Sequence, residues 1–96
     1  MTVLKMLENL IELQNDTVKK ELKRRDDAKE KICEIKKSIF DFAKNVHDVK
    51  EGDMDTLFMV LDLRIDDYAT AVKWLAIEER TLERYKKQLA KEQTNG

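Results

Sequence analysis

No proline occurs anywhere in these 96 residues, and glycine occurs only at positions 52 and 96. Proline and glycine are the strongest local punctuators of a chain, so nothing here forces frequent turns. Charged residues make up 41% and apolar residues 42% of the chain. With few turns, that mixture can bury its apolar half only if it is sorted by face along long amphipathic helices. The length suits a single domain, residues 1–96.

The sorting is visible in the order of residues. After Thr2, a residue suited to cap a helix N-terminus, helical periodicity runs unbroken to Glu51. Leu4, Ile11, Val18, Arg25, Ile32, Ile39 and Val46 fall at successive heptad a positions; Leu7, Gln14, Glu21, Ala28, Ile35, Phe42 and Val49 fall at d. Six of the seven a positions are apolar, as a coiled-coil seam requires. Gly52 can then end the helix and Asp53 can cap the next. A second run follows, with Met54, Leu61, Tyr68, Leu75, Leu82 and Leu89 at a, Leu57, Ala71 and Tyr85 at d, and Phe58, Ile65 and Val72 at e. Its acidic residues crowd the first half and its basic ones the last, which complements the helix dipole.

The expected fold is therefore all-α: a long antiparallel hairpin of helices at about 2–51 and 53–92, turning at Gly52-Asp53, with residues 92–96 frayed. A break at Asn15-Asp16, where cap-forming residues cluster, would give a three-helix bundle instead.

A turn at 52/53 fixes which residues meet. Arg25, a charge in an a position, falls beside Glu78 or Glu79; either Arg25 and Glu79 form a buried pair that sets the register, or Arg25 snorkels to solvent. The same turn leaves Val3 to Leu7 with partners only beyond the C-terminus, yet Val3, Leu4, Met6, Leu7, Leu10, Ile11 and Leu13 form a dense apolar segment. A second surplus lies on the outer face of residues 57–63 (Phe58, Met59 and Leu63), extended by Trp74 and Ile77. A helix that is apolar all round is buried all round, and one partner helix cannot do that. Val3, Leu4, Leu7, Leu10, Ile11, Phe58, Met59, Leu63, Trp74 and Ile77 are the expected protein-interaction residues, with an antiparallel homodimer as the arrangement that would cover them.

Other chemistries find little support. Net charge is −1, and residues 1–52 carry 12 basic and 11 acidic residues against 7 and 9 in residues 53–96. The chain as a whole does not draw in nucleic acid or membrane. Lys20, Arg24, Arg80 and Arg84, with Lys19 and Lys23 nearby, form one candidate anion or nucleic-acid patch, but Glu21, Asp26, Glu79 and Glu83 interleave with them and no aromatic stacking set joins them. The lone His47 reads as a cation near a helix C-terminus. Asp62, Asp66 and Asp67 read as a solvated acidic face, since no second histidine accompanies them. Cys33, beside Ile32, reads as a small, partly buried apolar residue. A single cysteine excludes an internal disulfide and suits a reducing compartment. No apolar run approaches the ~20 residues that cross a bilayer, and no leader-like pattern opens the chain.

The expected function is that of a small non-catalytic, cytoplasmic interaction module, cellular or encoded by a phage or virus, with neither metal nor cofactor. It would homo-oligomerise and present a helical surface to another protein as an adaptor, regulator, inhibitor or assembly factor. The alternative is a nucleic-acid-binding accessory protein acting through the basic patch. Length and hairpin plan resemble the WXG-type secreted helical hairpins, but residues 47–55 hold no Trp-x-Gly, and Leu89 rather than an acidic residue stands four after Tyr85. No family is assigned.

Overall fold

The computed structural model describes residues 2–45 and 51–95. Two long helices, α1 (Val3–Asn45) and α2 (Glu51–Asn95), pack as a hairpin. At 1.5 Å of rise per residue, each is roughly 65 Å long. The helical start signal is realised as written: the Lys5 N–H donates to Thr2 Oγ1 at 3.2 Å, and the Met6 N–H donates to the Thr2 carbonyl at 3.1 Å. Thr2 thus satisfies one of the orphan donors of the first turn.

α1 is continuous through Asn15, Asp16 and Thr17, so the three-helix alternative does not form. Thr17 stays helical by donating from Oγ1 to the Leu13 carbonyl at 3.2 Å. This back-bonding places its hydroxyl without breaking the ladder.

The break between the helices differs from expectation. α2 begins at Glu51, so the backbone of Gly52 and Asp53 lies in its first turn rather than outside it. The first turn tolerates glycine better than a helix interior does, because its N–H groups have no intrahelical acceptor in any case. The reading of His47 and the seam positions Val46 and Val49 lie outside the described residues. α2 also runs past 92 to Asn95. Gln88 Nε2 donates to Glu92 Oε1 at 3.2 Å, and Thr94 Oγ1 donates to the Ala90 carbonyl at 2.9 Å, so side-chain bonds span the stretch expected to fray.

The chain divides into two compact units. One comprises residues 1–23 with 72–96. Leu7, Leu75 and Leu82 are buried there, and Leu4, Ile11, Val18 and Tyr85 are half-buried. The other comprises residues 24–71. In it Ala71 is fully enclosed, and Ala28, Ile32, Ile35, Ile39, Phe42, Leu57, Leu61 and Tyr68 are half-buried.

Every a and d position from Leu4 to Phe42 on α1, and from Met54 to Glu92 on α2, is buried or half-buried. Phe58, Ile65 and Val72, at e, are exposed. The a and d residues thus form the seam between the helices, with some e and g neighbours (Asn15, Thr17, Leu22, Val60 and Thr81) half-buried beside it. Such a seam makes a thin core: four hydrophobic residues are buried among the described residues and none of the larger ones completely.

Truncation at the seam should be costly. Leu75 is 5% exposed and Leu13 is 64% exposed. Leu75→Ala is expected to lower the unfolding free energy by about 2–4 kcal/mol, whereas Leu13→Ala should change it by less than ~1 kcal/mol in the isolated chain. Urea titrations followed by far-UV circular dichroism at low protein concentration compare the two.

Candidate interaction surface

One polar contact fixes how the two helices of the first unit align. Gln14 Nε2 donates to the Glu78 backbone carbonyl at 2.9 Å and also to the Glu78 carboxylate. Both residues are d positions and both are half-buried. Gln14 weakens the seam by pattern, and it is the residue that carries the tie across it.

Running antiparallel from this contact, residues 3–20 of α1 lie beside residues of about 72–89 on α2. This differs from the alignment implied by a turn at Gly52-Asp53, which would have set Arg25 level with Glu79. The Gln14–Glu78 contact places the two helices of this unit several turns away from that alignment.

Three consequences follow. First, the N-terminal segment has α2 alongside it after all. Leu7 is buried and Leu4 and Ile11 are half-buried, so these three belong to the seam and not to a surplus. Second, the pair Arg25 and Glu79 is not the buried register lock. The Arg25 guanidinium bonds Asp26 on its own helix at 3.1 Å, with 36% of its side chain exposed, and Glu79 is exposed. Third, the basic patch is spread out. Lys20, Arg24, Arg80 and Arg84 are all exposed, but Arg80 and Arg84 lie level with about residues 8–12 of α1, some two turns or more from Lys20.

The apolar residues that remain outside the seam are numerous. Among the described residues, eleven large hydrophobic side chains are exposed and four hydrophobic residues are buried. On α2, Phe58, Met59, Leu63 and Trp74 are exposed, with Met59 at 62% and Trp74 at 46%; Ile77 is half-buried. On α1, Val3, Met6, Leu10 and Leu13 are exposed. Scattered single exposed hydrophobics need no explanation, whereas a stripe at helical spacing marks a contact surface.

In the seam register Val3 and Leu10 are g positions, and Trp74 is a g position on α2. Antiparallel packing sets g beside g, so Leu10 and Trp74 border the same flank of the first unit. Thr17 and Thr81, also at g, are half-buried there. Phe40 and Ile65 are further exposed apolar residues that the sequence pattern did not single out as contacts. Phe40 sits one residue after the seam residue Ile39, and only the finished packing separates them.

Polar chemistry on the surface is sparse. Asp67 pairs with Arg64 at 3.8 Å one turn away, and Asp62 and Asp66 are exposed. No group of three or more His, Cys, Asp or Glu side chains among the described residues is arranged to hold a metal ion. Cys33 is exposed rather than partly buried, because position b turns it away from the seam. No helix is long and apolar enough to cross a membrane among the described residues. Comparison with family models, with curated proteins and with solved structures gives no match.

The Gln14–Glu78 tie makes a measurable claim. Gln14→Ala removes the donor and leaves a half-buried carboxylate without that bond, at an expected cost of about 1–2 kcal/mol. A lower urea midpoint at unchanged slope is the expected result.

Proposed function

We propose that this chain is a small, non-catalytic protein–protein interaction module that homo-oligomerises and offers a helical surface to another protein, as an adaptor, regulator, inhibitor or assembly factor. The observation that carries this reading is the excess of exposed over buried large apolar side chains among the described residues. A hairpin that kept to itself would have polar residues at those positions. The seam supplies a firm back, and the outer residues are free to bind.

Phe58, Met59 and Leu63 in the unit of residues 24–71, and Trp74 in the other unit, are the residues assigned to the partner protein. They follow one another along α2, and aromatic and methionine side chains are enriched where proteins meet. A cytoplasmic setting accords with the lone, exposed Cys33, which an oxidising compartment would tend to pair. The partner class is a protein rather than a nucleic acid, because the basic residues are dispersed and interleaved with acidic ones.

Affinity capture with the tagged chain from the organism that encodes it is the test. Wild type is expected to retain a stoichiometric protein partner. Trp74→Ala and Met59→Ser, both at exposed helical positions, should reduce that retention at least tenfold while leaving helical content unchanged. Repeated capture without any stoichiometric protein, or a salt-sensitive shift of DNA or RNA at low ionic strength, would overturn the reading.

A further inference from the structure

The reading above leaves open what covers the N-terminal half of α1. Val3, Met6, Leu10 and Leu13 are all exposed and recur at intervals of three and four residues. That is the spacing of a helix-packing stripe, and it is separate from the Leu4–Leu7–Ile11 seam that holds α1 to α2.

We propose that this stripe is a self-association face. It takes a second copy of the same segment, packed antiparallel about a two-fold axis near Glu8. Val3 then layers on the partner's Leu13, and Met6 on the partner's Leu10. The proposal rests on the chain being an interaction module, and it names one of the partners: another copy of itself.

Two observations select this occupant. The first is self-complementarity. A two-fold interface uses the same patch twice, so residues equidistant from the axis must suit each other. With the axis near Glu8, all four exposed apolar residues meet apolar residues. The next register that keeps the stripe facing itself lies one heptad further on. It would set Val3 against the partner's Lys20 and Met6 against the partner's Thr17.

The second is charge. The favoured register brings Lys5 beside the partner's Glu12, and by symmetry Glu12 beside the partner's Lys5. It sets Asn9 beside the partner's Asn9. The register one heptad on would bring Glu12 beside the partner's Glu12 instead. Lys5, Asn9 and Glu12 are all exposed and available for these contacts.

The full-length chain with Cys33→Ser provides the background for the test. Asn9→Cys places one thiol beside its symmetry mate. Leu13→Cys places two thiols about 15 Å apart along the helix axis, ten residues at 1.5 Å each, beyond what a disulfide can bridge. Mild oxidation is expected to cross-link the Asn9→Cys chain as a dimer and to leave the Leu13→Cys chain uncross-linked. Sedimentation equilibrium at micromolar concentration should give the wild type twice the 11.3 kDa chain mass. Leu10→Glu should halve that mass with helical content intact.

A monomeric wild type would overturn the proposal. So would a dimer that survives Leu10→Glu, and so would cross-linking at Leu13→Cys, which signifies a parallel or shifted arrangement. A monomer that still captures a stoichiometric protein through α2 would remove self-association and leave the interaction-module reading standing.

Discussion

Each helix of this hairpin has one neighbour, and most of its structure follows from that. A helix with a single neighbour withdraws one narrow stripe from solvent: a and d positions are withdrawn along the whole described length, while e positions as apolar as Phe58 and Ile65 are not. The core is thin because its geometry allows no more. Adding further hydrophobic residues to the chain could not thicken it; they would only emerge on another face. This is why apolar content and burial part company here, and why the exposed residues bear on function and not on folding.

Within that constraint, the alignment of the helices decides the rest. Leucine and isoleucine layers are nearly interchangeable under a slide of one heptad, so an apolar seam alone specifies alignment weakly. A polar group in the seam specifies it more sharply, because a slide would leave it without a partner. Gln14 does this, with one amide serving both the backbone carbonyl and the carboxylate of Glu78. Arg25 is the more conspicuous polar seam residue by sequence, yet its long side chain reaches out from the seam to Asp26. Length and flexibility let an arginine snorkel where a glutamine must bond locally.

The heptad pattern was legible in the sequence down to single residues, since 3.5-residue periodicity over six heptads leaves little freedom. The helix start at Thr2 was legible for the same local reason: a hydroxyl either reaches the third amide or it does not. The break was harder. Gly52 is the only interior glycine, and it reads as a stop, but glycine states a permission and not a requirement. The first turn of α2 accepts it. A shift of a few residues at the connection displaces every cross-helix pairing by twice that amount, since both helices move. The placing of Leu4, Leu7 and Ile11 in a surplus and the concentrated basic patch were products of that doubling, and so was the Arg25–Glu79 pair. Features read within one helix, such as the exposed face of Met59, Leu63 and Trp74, did not depend on it.

The same logic bears on why the chain carries so much apolar surface at all. A hairpin with a thin seam gains little from intramolecular burial, so its folded state is sensitive to anything that binds it selectively. Association then contributes to folding by mass action: a partner that recognises the paired helices and not the unfolded chain raises the population of the fold in proportion to its concentration over its dissociation constant. A second copy is the one such partner whose concentration rises with the protein's own. For a chain whose apolar residues outnumber the seam positions available to them, self-association by one stripe would stabilise the hairpin while leaving another face, on α2, for a different protein.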